Sequence, residues 1–332
     1  MGPSNRAGTT EPPIPLTYLA GISYCGSTLL SLVLNTHPRI LSIGELGPRF
    51  IENRERYLCS CGESTSDCGF YVAVKHRMAE RGVDFDEVNM FLRHNYSDRP
   101  WVNRVLTGSL RIPALDRMRD AVRDRLPGVR QRLAEVRQRN DAFIRSALET
   151  AGKRMFLDAT KEPRRIPFLQ ELTSDLRVVH LVRDPRGYLY SARKRSTGDA
   201  EAAARHWVDG HGAVEQIVGR LPTDRRIRVR YEDICADPQV RLTALTGFMG
   251  LEPFSMMPDF NDYPHHIIGN SMRQSKDRRA QIRLDDSWRK VISAEDQRTV
   301  WNVAGEMAER FGYRFEPAQV QPEPQPAVAP AD

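Results

Sequence analysis

Long apolar runs are missing from this chain: its 332 residues contain no stretch of about 18 consecutive apolar residues, so no membrane span is predicted. The opening MGPSNRAGTTEPP has no basic stretch leading into an apolar core, so no signal peptide is read and the cytoplasm is the expected location. Cysteine is scarce. Five are present, three of them close together at Cys59, Cys61 and Cys68, too few and too unevenly placed for a secreted disulfide scaffold. Lysine supplies only six of the 49 basic residues, a bias taken as a trait of the source genome. Aromatics are missing where arginine is densest, in MRDAVRDRLPGVRQRLAEVRQR, and acids interleave there at helical spacing. That pattern describes the solvated face of an amphipathic helix and argues against a nucleic-acid stripe. No internal repeat is present. What remains is ordinary for a soluble globular protein: 40% hydrophobic and 28% charged residues, enough for one large domain or two small ones. The net charge of +6 suits an anionic ligand without specifying one.

Residues 1–13 and 317–332 are rich in Pro, Ala and Gln with little to bury, and disordered tails are expected there around a single domain over 14–316. Within it, β-branched or aliphatic runs recur at Leu16 to Ala20, Met155 to Leu157, Leu176 to Val182 and Ile227 to Val229. Helical patterns follow the first, third and fourth of these, at Ser27 to Leu34, Gly187 to Arg195 and Pro238 to Met249. The alternation predicts an α/β fold of three layers, a central parallel sheet flanked by helices, of the P-loop type. The segment 72–150 has helical but no strand signal and is expected as a helical insertion between the first and second strands, and Ala294 to Phe311 as a closing helix.

The first strand run leads into GISYCGSTLL, in which Gly21 and Gly26 bracket four residues. Between a strand and a helix this spacing turns successive backbone N–H groups inward, and the helix N-terminus adds its positive end. Tyr24, Cys25, Gly26, Ser27 and Thr28 are therefore candidate anion-binding residues, the last two adding hydroxyl donors. Where a nucleotide triphosphatase places the lysine that serves a terminal phosphate, this loop has Ser27. The alternative is a plain strand-to-helix turn with two glycines.

A second constellation, LRVVHLVRDPRGYLYSARK, ends a buried strand in Arg183, with Ser191 eight positions later. An arginine at the carboxyl edge of a parallel sheet is placed to clamp a phosphate. It could instead pair with Asp184 or cap a helix.

Together these residues resemble the PAPS-dependent sulfotransferases, whose donor is 3′-phosphoadenosine 5′-phosphosulfate. Gly21 to Leu30 resembles the family's 5′-phosphosulfate loop, and Arg183-Asp-Pro-Arg with Ser191 resembles its 3′-phosphate motif. Tyr231-Glu-Asp-Ile before Asp237-Pro238, and Gly269-Asn-Ser-Met-Arg273 with Trp288-Arg289 downstream, match further. The resemblance implies Tyr231 and Arg273 as additional donor-binding residues. It also implies a donor that needs an anion nest but no metal-held γ-phosphate.

A base must accept the acceptor's proton. His37-Pro38 followed by Gly44-Glu45 resembles the tyrosylprotein sulfotransferases and their bacterial relatives, which implies Glu45 as general base, with His37 the rival. The family usually has Arg or Lys where this loop has Tyr24, and Ser where it has Cys25. Lys161, in Asp158-Ala-Thr-Lys-Glu-Pro163, is the expected substitute for the missing cation, by resemblance to an Asn-Lys-Asp-Pro segment.

Cys59, Cys61 and Cys68, with His76 eight residues on, fit the usual zinc spacings poorly, and a disulfide or plain buried thiols are expected instead. The resemblance implies an acceptor bearing a hydroxyl, on a small molecule, lipid, glycan or tyrosine. Its pocket is expected from 46–150 and 254–268, where Phe50, Tyr57, Phe70, Tyr71, Phe91 and Trp101 line either that pocket or a satellite core. The rival functions are a non-catalytic protein that binds PAPS or its desulfated product, and a P-loop kinase. The kinase is disfavoured by the absent lysine and by a strand ending in Arg183 where an Mg²⁺-binding acid would be needed.

Overall fold

A computed structural model of the chain describes residues 11–45, 58–85, 99–107, 113–194, 198–254, 259–261, 263–269 and 282–315. Five strands form one parallel sheet: β1 (Leu16–Ala20), β2 (Ile40–Ser42), β3 (Met155–Asp158), β4 (Leu176–Val182) and β5 (Arg226–Arg230), in the order β2-β3-β1-β4-β5. Helices cover both faces of the central strands, and all five residues of β1 are buried, whereas the edge strand β5 alternates, with Val229 buried between exposed Arg228 and half-buried Arg230. Tyr18 and Ala20 face a core with Ile144, Phe156 and Val178. Leu19 faces the opposite core with Leu30, Leu157 and Leu181.

Four of the five strands lie where the aliphatic runs predicted them. β2 was not foreseen, because three residues, Ile40-Leu-Ser42, carry no period of their own. They become a strand by pairing with β3, Ile40 opposite Met155. Its position also moves the helical insertion, which lies between β2 and β3 rather than directly after β1.

The described insertion comprises α2 (Gly69–Glu80), α3 (Pro100–Thr107), α4 (Pro113–Arg123) and α5 (Pro127–Ala151). Pro127 sits in the first turn of α5 and separates it from α4, so the Arg-rich stretch is two helices. Its arginines are matched by the interleaved acids, as in Arg119–Asp116 and Arg123–Asp120. On α4 the expected solvated charged face is reversed: the Arg119, Asp116 and Arg123 side chains are only 18%, 16% and 12% exposed, whereas Leu115, Met118 and Val122 are exposed. Phe70 and Tyr71 are buried core residues, Trp101 is 63% exposed, and Phe50, Tyr57 and Phe91 lie outside the described residues.

The remaining helices are α1 (Ser27–Asn35), α6 (Arg165–Leu172), α7 (Pro185–Arg193), α8 (Ala200–Val218), α9 (Tyr231–Ala236), α10 (Pro238–Phe248), α11 (Trp288–Val291) and α12 (Ala294–Arg310). A third core forms where α7, α8 and α12 meet, around the fully buried Trp207 with Val300, Ala304 and Phe311. α12 is the closing helix anticipated over Ala294 to Phe311. Among the described residues no helix is long and apolar enough to cross a membrane.

The strand order is what positions the site. β1 is central, with β3 on one side and β4 on the other, so the loops leaving the carboxyl ends of three strands distant in sequence emerge side by side.

Candidate functional site

The loop after β1 lies tight against its neighbours. A Cβ on Gly21 would meet the Leu181 carbonyl oxygen of β4 at 2.8 Å. Gly26 has φ 93°, and a Cβ there would stand 2.5 Å from the Tyr231 ring. Both glycines are therefore required, one by close approach and one also by backbone conformation. α1 begins immediately afterwards with no capping side chain and no acidic residue in its first turn, which leaves its positive end open to an anion. Ser27 is buried and Thr28 half-buried at that end. Cys25 is buried behind the loop; burial pushes its thiol up, and the Lys161 ammonium pulls it partly back.

Among the described residues only two non-glycine residues have positive φ, Tyr24 at 63° and Lys161 at 66°. Each costs on the order of 1–3 kcal/mol, and strain of this kind persists where the surroundings over-determine it. Both lie at this sheet edge. Lys161 is held by a framework that sequence inspection missed: Asp158 at the end of β3 receives the Thr160 hydroxyl at 2.5 Å and Arg165 Nε at 2.6 Å. Arg165 also donates to Asn140 of α5 at 3.0 Å. An Asp-x-Thr immediately after a strand is the available signal, since the aspartate can accept from the threonine two residues on. The buried Asp158–Arg165 pair is sustained by these extra partners.

From this turn Lys161 Nζ reaches Glu45 Oε1 at 2.5 Å, across 116 residues of sequence. Glu45 follows Gly44, which has φ 84° and forms a parallel bridge with Ile268, and the Glu45 amide donates to the Ile268 carbonyl at 3.3 Å. Both sequence-predicted catalytic residues thus meet beside the Gly21–Gly26 loop. The rival base does not join them. His37 is 2% exposed, its Nδ1 accepts from the Arg39 amide at 3.1 Å, and its Nε2 donates to the Glu252 carbonyl at 2.9 Å. Its ring edge packs on Phe254, so it holds the turn after α1.

The loop after β4 presents Arg183. Its guanidinium does not pair with Asp184, whose carboxylate caps α7 and takes Arg186 through two bonds of 3.0 and 2.8 Å. Arg183 instead donates to the Ser191 hydroxyl at 2.9 Å and the Tyr24 carbonyl at 3.2 Å, and lies over the Tyr231 ring at 4.6 Å. Asp285 completes its surroundings, receiving Arg183 at its carbonyl at 3.2 Å with a carboxylate oxygen 3.8 Å away. The Tyr231 hydroxyl donates to the Arg283 carbonyl at 3.2 Å, and burial pushes its pKa above the usual tyrosine range.

Two residues to which the sequence reading gave no role, Trp207 and Glu232, brace this end of β4. Trp207 of α8 donates its indole N–H to the Arg183 carbonyl at 3.0 Å. Glu232 accepts the Asp184 amide at 3.0 Å and the Tyr313 hydroxyl at 2.8 Å, and burial raises its pKa. Arg186 is stacked on Trp288 at 4.4 Å, so the Trp288-Arg289 motif supports α7 from outside. Arg273, the remaining predicted donor residue, lies outside the described residues.

The arrangement gathers one anion-receptive helix end, one buried guanidinium and one carboxylate–ammonium pair at a single sheet edge. The model of the sulfotransferase family matches residues 15–256. Carbohydrate sulfotransferase 5 of Mus musculus is 27% identical over 177 residues, 45% of this chain and 44% of that protein. Carbohydrate sulfotransferase 6 of Homo sapiens is 25% identical over 177 residues, with the same coverage. This chain thus spans under half the length of the curated relatives it matches. In fold it is similar to the sulfotransferase domain of the Synechococcus PCC 7002 olefin synthase, with TM-score 0.55, 18% identity and coverage of 93% of this chain and 98% of that one. It is likewise similar to the sulfotransferase domain of the curacin biosynthetic pathway, with TM-score 0.52, 18% identity and coverage of 93% and 100%. The three-layer architecture and the family match lead to one conclusion: this chain belongs to the sulfotransferase family.

Proposed function

We propose that this chain is an enzyme that transfers a sulfuryl group from 3′-phosphoadenosine 5′-phosphosulfate to a hydroxyl acceptor. The observation that carries the proposal is the placement of Arg183 and Ser191 beside the Gly21–Gly26 loop, with Glu45 and Lys161 facing the same edge. When bound, the donor supplies the activated sulfuryl group. The residues fit it: an uncapped helix end suits the 5′-phosphosulfate, and Arg183 with Ser191 suits the 3′-phosphate.

The Gly21–Gly26 backbone with Ser27 and Thr28 binds the charged end, while the Tyr231 ring backs the loop at Gly26. The Glu45 carboxylate accepts the proton of the acceptor hydroxyl as that oxygen attacks sulfur in line, and the sulfur–oxygen bond to the donor's 5′-phosphate breaks, so that adenosine 3′,5′-bisphosphate leaves. Lys161 holds Glu45 in place and supplies the positive charge that the loop lacks at Tyr24, since its ammonium already acts electrostatically on Cys25. A protein that only bound the donor would have no use for this pair, which favours the enzyme over the binding-only alternative. The names of the mouse and human relatives make a carbohydrate hydroxyl the first acceptor class to screen.

The test is a thermal-shift titration with adenosine 3′,5′-bisphosphate, ATP with Mg²⁺, and 5′-AMP. At 100 times its dissociation constant the bisphosphate stabilises by about 2.7 kcal/mol, and Arg183→Ala removes the shift. A shift with ATP and Mg²⁺ alone would replace this function with phosphoryl transfer.

A further inference from the structure

We infer that Cys59, Cys61, Cys68 and His266 form a tetrahedral zinc site. Their four ligand atoms lie within 4.8 Å of one another. The Cys59 and Cys68 sulfurs stand 3.6 and 3.4 Å from His266 Nδ1. A tetrahedral ion with Zn–S of about 2.3 Å and Zn–N of about 2.0–2.1 Å places sulfur and nitrogen about 3.5 Å apart, so two edges of the tetrahedron already have their coordinated length. Three sulfurs and one imidazole nitrogen form a donor set of structural zinc.

The sequence concealed this site because its fourth ligand is not nearby. His76, the histidine adjacent in sequence, is exposed on α2, whereas His266 arrives from 198 residues beyond Cys68. The disulfide expected as one alternative is not formed; all three cysteines are free, Cys59 and Cys68 buried and Cys61 exposed.

The backbone is built to hold the four ligands. Leu58 and Ser64 form an antiparallel bridge, closed by the Gly62 amide donating to the Cys59 carbonyl at 2.9 Å, with Gly62 at φ 99°. This tight turn brings Cys61 back beside Cys59. Cys68 is fixed as the N-cap residue of α2. The His266 ring stacks on Phe70 at 4.7 Å with 5° between planes, and the Tyr71 hydroxyl donates to the His266 carbonyl at 2.7 Å. Ser60 clamps the two segments together. Its hydroxyl donates to the His265 carbonyl at 2.5 Å and accepts from the Ile267 amide at 2.9 Å, while its own amide donates to the Ile267 carbonyl at 2.9 Å.

The ion would lock 58–68 to 265–268. The next residue, Ile268, donates to the Ile43 carbonyl at 2.9 Å and receives the Glu45 amide, so the metal would anchor the segment that supports Glu45. The site itself stands whether or not the transfer chemistry does.

The full-length chain, produced with zinc in the medium, is expected to carry about one zinc per molecule by elemental mass spectrometry. Cobalt substitution of the unmutated protein should give thiolate charge-transfer absorption and the intense visible bands of tetrahedral Co²⁺. Cys59→Ser and His266→Ala should each lose the stoichiometric metal, His76→Ala should keep it, and a strong chelator should lower the melting temperature by several degrees. A metal-free protein that shows no cobalt bands, a Cys59–Cys68 disulfide in the native mass, or stoichiometric iron in place of zinc would each overturn the assignment. So would a His266→Ala variant that retains zinc at full affinity.

Discussion

At Lys161, backbone strain coincides with a long-range ion pair. A lysine has no intrinsic reason to adopt φ 66°, yet the Asp158–Thr160–Arg165 network forces that turn, and its consequence is the reach of Nζ to Glu45 Oε1. If Glu45 takes the proton, Glu45→Gln should lower kcat by about 10²–10⁴ while adenosine 3′,5′-bisphosphate binds as before. Lys161→Ala should abolish turnover with donor product still bound, because one charged donor is typically worth about 10²–10³ in rate and this loop has no second cation at Tyr24. Steady-state kinetics paired with calorimetric binding read both variants. Turnover unchanged in either would remove that residue from the mechanism. Arg183 presents the opposite case, an unstrained residue whose direction is set by competition. Arg186 occupies the Asp184 carboxylate with two bonds, so the guanidinium of Arg183 turns to Ser191.

At the scale of elements, α8 went unrecognised in the sequence. Gly210 and Gly212 dilute its pattern, and its buried face includes His211 and Trp207, which read as polar and aromatic punctuation rather than a stripe. Tertiary packing makes it a helix: Trp207 ties it to the end of β4, and His211 Nδ1 meets His180 Nε2 of β4 at 2.9 Å. Burial pushes His211 down to about 3 and, with His211 and Arg228 adding, holds His180 well below its usual range. In the unfolded chain each histidine takes up a proton near pH 6.5, which the folded pair refuses. Stability is therefore lost as pH falls from about 6.5 toward 3, and is unaffected by this pair above 6.5. His211→Gln removes one such proton, so its unfolding free energy should fall by about 2 kcal/mol less than that of the parent between pH 7 and 5, measured in urea. Identical pH dependence would show that His211 is not held neutral.

Over the whole molecule, the family match ends at residue 256, yet the surroundings of Arg183, Arg186, Tyr231 and Glu232 extend past it through Arg283, Asp285, Trp288 and Tyr313. A chain cut after residue 256 also loses α12, whose Val300 and Ala304 close the core around Trp207. It should melt at least roughly 10 °C lower, or without cooperativity, and show no shift with adenosine 3′,5′-bisphosphate in calorimetric or fluorescence melting. A full shift in the truncated chain would confine the donor site to the matched segment. Much was legible beforehand. Aliphatic runs announced four of the five strands for two reasons: β1 is buried at every residue, whereas β5, at the sheet edge, was betrayed by Ile227 and Val229 alternating with arginines. Gly21 and Gly26 announced the tight strand-to-helix turn because only glycine fits their close contacts. Those properties are local, and a sequence states local requirements directly. Three things were decided by tertiary structure alone: which way Arg183 turns, that Lys161 and Glu45 meet, and that His266 rather than His76 joins the three cysteines. Each depends on segments about 100 to 200 residues apart being brought to one place, or on two side chains competing for one partner. No spacing along the chain encodes the outcome of either.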